Sequence, residues 1–570
     1  MLSFPTVNSR RHTSFSAVVL ALLAGFACPA SSFAQAPVTI RVDASASLGP
    51  LRPVWSYFGY DEPNYTYTPH GRELISELAS SSTVPIYIRT HNLLTTGDGT
   101  PALKWGSTNA YTEDVSGKPV YDWTIVDRIF DTYLHARAKP FVELGFMPEA
   151  LSTHPQPYQH HWPKGPLDTG WSYPPRDYSK WEELVYQFVR HCEQRYGDRE
   201  VASWYFEVWN EPDIFYWHGT REEYEKLYDF SAEAVKRAMP AARVGGPATT
   251  GPGNPKAAEY LRAFLEHCAR GTNFVTGKPG APLDFISFHA KGSPKAVDGH
   301  VEMGLAANLK SADRGFEIVA SFPQFAKLPV VLSESDPDGC AACASRLHPD
   351  LAYRNGTLYP AYTAAAFDGI LKLARSRDIN LAGIVTWAFE FENQPYFEGF
   401  RTLATNGIDK PELNFFRMAR HVAGEQLKSE SSGAESPGDI IESGVRANPD
   451  VDALAARGKR SITVMIWNYH DDDVPGPNSQ IALSLVKLPP EARRLRLRHY
   501  RIDRDHSNAY TVWLALGSPQ NPTPGQVARL KAAAQLQSLE PPRSIAVQNG
   551  EVSVNFSLPR ESISLLEFSW

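Results

Sequence analysis

Trp204-Tyr205-Phe206-Glu207-Val208-Trp209-Asn210-Glu211-Pro212-Asp213 is a short β-rich run that breaks off into polar residues and a proline. It is too short for a typical helix, and its end disfavours further regular structure, so it reads as a buried strand opening into a loop. Similar runs recur on both sides, at residues 55–60, 86–91, 140–146, 243–247, 285–289, 330–333 and 383–387. Amphipathic stretches separate them. Trp123, Val126, Ile129, Phe130 and Tyr133 follow spacings near three and four, as do Tyr178, Trp181, Leu184, Val185, Phe188 and Cys192, which is the period of one helical face. Strands that alternate with helices eight times predict an α/β fold, a closed (β/α)8 TIM barrel over residues 51–423. The first strand is not followed by a glycine-rich dinucleotide fingerprint, which counts against an open doubly wound sheet.

After residue 424 the pattern changes. Residues 429–438, rich in Ser, Gly and Glu, read as a linker or loop. Strand-like runs follow at 461–469, 481–486, 495–502, 551–556 and 562–568, separated by turns rich in Pro and Asp, and they predict an accessory antiparallel β-sandwich over 424–570. Residues 38–42 alternate apolar and polar positions, so 37–50 is expected to join that sandwich as a strand from the N-terminal side. The sandwich is either a packing partner for the barrel or a surface through which copies associate as a homo-oligomer.

Residues 1–36 read as a secretory signal peptide, which predicts export to the periplasm or the extracellular space. Arg10 and Arg11 precede an apolar run from 15 to 27, and Ser32-Phe33-Ala34 offers small residues near a cleavage point. The run is shorter than the ~20 residues a membrane span needs. Cys28 is poorly placed for a lipid anchor, because Gly25-Phe26-Ala27 does not resemble a lipobox. No membrane association is expected. With 56 basic and 63 acidic residues the net charge is −7 and long single-sign runs are lacking, which excludes nucleic acid as a partner. Of the cysteines beyond the signal, Cys340 and Cys343 suggest a local disulfide or two inert thiols. A zinc half-site with His348 lacks its further ligands, and no His-Glu-x-x-His motif occurs, so no metal or other cofactor is expected.

In such a barrel the chemistry sits where strands end, so polar residues that follow apolar strands are the candidates. Two carboxylates stand out: Glu211 after the fourth strand and Glu334 in Ser333-Glu334-Ser335-Asp336 after the seventh. Strands four and seven face one another across an eight-stranded barrel. Their tips can therefore bring two carboxyl groups about 5–5.5 Å apart, as cleavage of a glycosidic bond with retention requires. Paired carboxyls push one pKa upward, so one stays protonated while the other stays ionised. On this reading Glu211 is general acid/base and Glu334 nucleophile.

The stretch Trp209-Asn210-Glu211-Pro212-Asp213, with Phe141-Val142-Glu143-Leu144-Gly145-Phe146-Met147-Pro148 upstream and the second Glu at strand seven, resembles glycoside hydrolase family 39. That family contains β-xylosidases and α-L-iduronidases built as a barrel with an accessory β-sandwich. The resemblance runs from about residue 50 into the C-terminal domain. It implies the acid/base position for Glu211, the nucleophile position for Glu334, and for Asn210 an amide that contacts the sugar 2-hydroxyl.

His91, Phe146, His289 and Trp387 end strands two, three, six and eight and are expected to line a sugar pocket. Glu392, in Phe391-Glu392-Asn393, is similar to a Phe-Glu-Glu element that contacts xylose in the xylosidases, with Asn393 replacing the second Glu. Lys291, in Ser287-Phe288-His289-Ala290-Lys291-Gly292, and Arg401, in Arg401-Thr402-Leu403, resemble the iduronidase branch, where the matching residues hold a uronic acid carboxylate. Alternatively they pair with acids such as Asp336 or Glu392. The expected activity is retaining exo-hydrolysis of terminal non-reducing β-D-xylosyl residues from xylo-oligosaccharides. The alternatives are an α-L-iduronidase-like uronosidase or another pentosidase such as an arabinosidase, an endo-acting cellulase or mannanase, and a barrel that binds glycans without cutting them. Loops 97–114 and 155–173 look long enough to wall off a pocket rather than leave an open cleft.

Overall fold

The structure, a computed structural model, describes residues 36–103, 106–160, 167–387 and 389–570. All but the last residue of the expected signal segment lies outside the described residues.

Eight parallel strands close into a barrel in sequence order: β1 (Tyr57–Tyr60), β2 (Tyr87–Thr90), β3 (Lys139–Leu144), β4 (Tyr205–Val208), β5 (Arg243–Thr249), β6 (Phe285–His289), β7 (Val330–Glu334) and β8 (Leu381–Trp387). Closure is through β8, whose Val385 pairs with Tyr57. The long helices that follow the strands are α1 (Pro69–Ser80), α2 (Thr124–His135), α3 (Tyr178–Tyr196), α4 (Arg221–Ala238), α5 (Pro255–Arg270), α6 (Leu305–Ala320), α7 (Leu358–Ser376) and α8 (Pro411–Ala419). The expected helical stripes are buried, Val126, Ile129, Phe130 and Tyr133 on α2 and Trp181, Leu184, Val185, Phe188 and Cys192 on α3. Local chemistry sets several helix starts. The Thr68 hydroxyl accepts from Gly71 N, the Asp177 carboxylate accepts from Ser179 and Lys180, and Thr220 and Glu223 form a reciprocal capping box.

Side chains two apart on a strand point the same way, which stacks the barrel interior in layers. The lowest layer is aromatic: Tyr57 stacks on Tyr87 at 4.9 Å, and Tyr205 meets Tyr87, Phe141 and Phe285 at 5.1, 5.0 and 4.9 Å. Two residues further along these strands come Gly59, Arg89, Glu143, Glu207 and Ser287, a layer dominated by charge. A further step reaches the rim.

The second domain is a nine-stranded sheet that contains Val38–Leu51. That strand pairs antiparallel with Gly424–Ser431 and parallel with Ser479–Val486, so the expected antiparallel sandwich includes one parallel pair. The sheet folds over until its ends touch: the His499 ring packs on Phe556 at 4.8 Å, and Arg501 donates to the Ser557 carbonyl at 3.0 Å. One apolar core, with Ile40, Val464, Leu483, Val554 and Phe568, fills the sandwich so formed.

Three of its strands were not expected from the sequence, Gly424–Ser431, Asp450–Arg457 and Gln537–Ala546. The expected linker at 429–438 is corrected: its first residues belong to a strand, and Pro437–Ser443 is a short helix. Gly424–Ser431 is polar in composition and is made a strand by neighbours on both sides. Gln537–Ala546 contains Pro541 and Pro542, which the ladder tolerates because this strand is at the sheet edge.

Strands Asp450–Arg457 and Ser461–Tyr469 are buried almost throughout because both faces are covered. Ala453, Ala455, Val464 and Ile466 face the sandwich core, while Leu454, Ala456, Met465 and Trp467 join the barrel's core. Helix α7 lies in this junction, buried on most of its surface, and its Lys372 reaches Asp452 at 2.6 Å.

Candidate active site

Arg89 organises the floor of the site. Its guanidinium, fully buried, contacts Glu207 (Nε to Oε2, 2.5 Å), Glu143 (Nη2 to Oε2, 2.9 Å) and Glu334 (Nη1 to Oε1, 3.2 Å). Nη2 also donates to Asn210 Oδ1 at 3.0 Å, which turns the other end of that amide away from the arginine as a donor. Glu143 is matched on its second side by His91 Nε2 at 3.2 Å, and His91 Nδ1 lies 3.1 Å from Asp61. Burial pushes the Glu143 carboxyl up to about 7, against the pull of His91 and Arg89. Burial also lowers the His91 imidazole below its ordinary value, which favours the neutral ring.

Glu211 reaches the rim through an uncommon backbone path. Trp209 and Glu211 both adopt left-handed conformations, with φ of 70° and 44°. Such geometry costs energy for a side chain with a Cβ and persists where surrounding bonds hold it. Here Glu211 N donates to Ala248 O at 2.9 Å and Trp209 Nε1 to Tyr216 O at 2.8 Å. Glu334 ends β7, where it pairs in register with His289 at the end of β6. His289 bridges the two acids: Nδ1 is 2.8 Å from Glu211 Oε1, and Nε2 is 3.7 Å from Glu334 Oε1. One carboxylate oxygen of each glutamate and a ring nitrogen of His289 all lie within 4.8 Å of one another.

Glu334 is surrounded by positive charge. Arg89 takes one oxygen and the Lys291 ammonium donates to the other. Burial would raise its pKa, but His289, Lys291, Arg89 and Arg401 outweigh it and hold the carboxyl well below the ordinary range. Glu211, His289 and Glu334 also present donors of the kind a metal uses. Both oxygens of Glu334 are already engaged by Arg89 and Lys291, however, whose charges would repel a cation.

Above these residues opens a cavity of about 700 Å³. His91, Asn210, Glu211, His289, Lys291, Glu334 and Trp387 all line it. Gly59 makes room for Trp387: a Cβ at that position would stand 2.6 Å from the indole. Three expected residues do not line the cavity. Phe146 is behind it, with its ring against His91, Trp209 and Tyr216 at 5.2, 5.1 and 5.8 Å. Arg401 is fully buried, with Nη1 2.9 Å from Asp336 and a bond to the Asp338 carbonyl. Glu392 faces elsewhere, 3.0 Å from His70 at the start of α1. Asp61, Tyr216 and Thr250 line the cavity without having been expected. Arg89, Glu143 and Glu207 lie below it and were not expected, although spacing of two from His91, Gly145 and Trp209 puts each on an inward face. Loops 97–114 and 155–173 supply no described residue to the lining, and the walls come from segments 214–216, 250–254, 291–293 and 307–311.

The loop after β7 closes one side of the site. Cys340 and Cys343 are joined by a disulfide, and Arg354 donates to both of their carbonyls, at 2.5 and 3.1 Å. The zinc half-site alternative is thereby set aside. Gly339 of this loop lines the cavity, and the Asp338 carbonyl accepts from Lys291 at 3.4 Å.

A barrel with this pair of carboxylates at the rim is matched over residues 38–552 by the profile of a family described as Glycosyl hydrolases family 39. The chain belongs to glycosyl hydrolase family 39. It is an O-glycosyl hydrolase, and its substrates are oligosaccharides. Among curated relatives, this family 39 enzyme is 29% identical over 448 residues to a beta-xylosidase of Caldicellulosiruptor saccharolyticus, covering 77% of this chain and 81% of the relative. It is 28% identical over 559 residues to the alpha-L-iduronidase of Homo sapiens, covering 91% and 77%. Among solved structures, the monomeric beta-xylosidase of Caulobacter crescentus CB15 superposes with a TM-score of 0.73 at 24% identity, over 93% of this chain and 99% of that one. That likeness supports the fold. No helix among the described residues is long and apolar enough to cross a membrane.

Proposed function

We propose that this family 39 enzyme is a retaining exo-glycosidase that removes terminal non-reducing β-D-xylosyl residues from xylo-oligosaccharides. The observation that carries this reading is the approach of Glu211 and Glu334 to within 4.8 Å at the base of the cavity. Inverting enzymes hold their carboxyls ~6.5–9.5 Å apart to admit a water between them, and retaining enzymes hold them at ~5–5.5 Å. Glu334, kept ionised by its cations, attacks the anomeric carbon as Glu211 protonates the departing oxygen. The resulting glycosyl ester is hydrolysed by a water that Glu211 deprotonates. Asn210, its amide oriented by Arg89, is placed to donate to the sugar 2-hydroxyl.

A neutral sugar suits the charge balance. Lys291 is paired with Glu334 and Arg401 with Asp336, so each cation already faces a carboxylate of the protein, while Arg401 Nε and Nη2 keep no hydrogen-bond partner among the described residues. One observation favours a second reading, a uronide: the Lys291 side chain lines the cavity and is partly exposed. Rates on nitrophenyl β-xyloside, arabinoside and uronides separate the two.

The mechanism is tested by trapping. Wild type incubated with a fluorinated xyloside should gain one glycosyl group by mass spectrometry, and Glu334→Gln should gain none. Glu211→Ala should slow deglycosylation and recover with azide. Full activity in both variants would remove the assignment. We also propose export, on the signal read at 1–36 and the Cys340–Cys343 disulfide, which persists in oxidising compartments. Enzyme retained in the cytosol of its host would contradict this.

A further inference from the structure

The residues that line the cavity fall into two sets by their place in the fold. One surrounds the ends of β2, β4, β7 and β8 with His91, Asn210, Glu334 and Trp387, the space for the sugar that is released. The other adjoins Glu211, with Ile214, Thr250, Gly251 and Asn254 on one wall and Lys310 and Ser311 of α6 on the wall that meets it at Gly251. The Glu211 segment is tied to the wall that carries Thr250: Glu211 N bonds Ala248 O, and the Asp213 carboxylate accepts from Thr250 N at 2.9 Å. The approach of the two walls depends on glycine, because a Cβ at Gly251 would stand 2.6 Å from Ser311 Oγ. An acid protonates the leaving group, so the arm beside Glu211 is where the leaving group departs.

Lys310 is exposed in this arm and makes no hydrogen bond or ion pair among the described residues. It differs from Lys291 and Arg401, which are matched by carboxylates. We propose that Lys310 is a specificity-determining residue for the leaving group, favouring a sugar that bears a carboxylate, such as a hexuronic acid. This rests on Glu211 being the acid, as proposed above. The ammonium supplies attraction without the desolvation cost of a buried ion, so its effect is that of an exposed pair and is screened by salt.

The test uses the full chain and two disaccharides with the same glycone, one linked to glucuronic acid and the other to glucose. Wild type should favour the uronate in kcat/KM by about threefold to fivefold at low salt, the range of an exposed ion pair. The ratio should fall toward one in about 0.5 M NaCl and in Lys310→Met, persist in Lys310→Arg, and drop below one in Lys310→Glu. Titration of Glu334→Gln with the same pair reads the ratio from dissociation constants without turnover, so failure of the proposed reaction and failure of this inference register separately. A wild-type ratio near one, or a preference that survives Lys310→Met, overturns the proposal.

Discussion

The imidazole Nδ1 of His289 stands 2.8 Å from Oε1 of Glu211, and the other ring nitrogen turns toward Glu334. The ring therefore fixes the spacing of both acids. His289→Ala should lower kcat about tenfold to a hundredfold, because a displaced catalytic group loses rate steeply. Steady-state kinetics on an aryl xyloside check this, with mass-spectrometric trapping to show whether glycosylation or deglycosylation is the slowed step.

Lys291 should govern the acidic limb of the pH profile. As the proposed nucleophile Glu334 must be ionised, and its pKa is held below the ordinary range by His289, Lys291, Arg89 and Arg401 against burial. In wild type kcat/KM therefore persists below pH 4.5 and falls only as the pH drops through the depressed pKa. Removing one cation raises that pKa, so Lys291→Met should move the acidic limb upward. An unmoved limb would mean that Lys291 is not part of the field around Glu334.

Glu143 gives stability a pH dependence of opposite sign. Its folded pKa is pushed up to about 7 by burial, whereas the unfolded group titrates near 4.5. The folded state holds the proton more tightly, so this group costs stability as pH rises from about 4.5 through 7. The full span is worth on the order of 3 kcal/mol. Glu143→Gln should remove that slope, so the difference in Tm between wild type and variant should shift in favour of the variant between pH 5 and pH 8. Parallel Tm curves would contradict it.

Gly59→Ala should disturb the cavity-lining indole of Trp387. The added methyl would stand 2.6 Å from the Trp387 ring, so the ring must move or the barrel must strain, at about 1–3 kcal/mol. Expected readouts are a lower Tm and a raised KM, the second because Trp387 lines the cavity.

Much of the site was legible because barrels place chemistry at strand ends. Glu211, Glu334, His91, His289 and Trp387 each follow an apolar run, and each lines the cavity. Glu392 read like a sugar contact from its neighbours Phe391 and Asn393, yet the path of the chain after β8 carries it to His70. For Arg401 the sequence left two partners open, a ligand carboxylate or an acid such as Asp336, and the structure pairs it with Asp336, 65 positions earlier. The roles of Arg89, Glu143 and Glu207 were not legible because each sits within a strand-forming run, where a lone charge gives no local sign of its partners.

Local periodicity by itself determined the eight barrel strands and the helices that cover them, because alternation by two and by near four reflects which face of each element meets the core. Composition also set the change to a β-rich C-terminal region. Only the tertiary structure decided the parallel pairing of Val38–Leu51 with Ser479–Val486, the folding of nine strands around one core, and the gathering of Arg89, His289, Lys291 and Arg401 around Glu334. These depend on the energy of burying groups far apart in the chain, and no window along the sequence contains both members of such a pair.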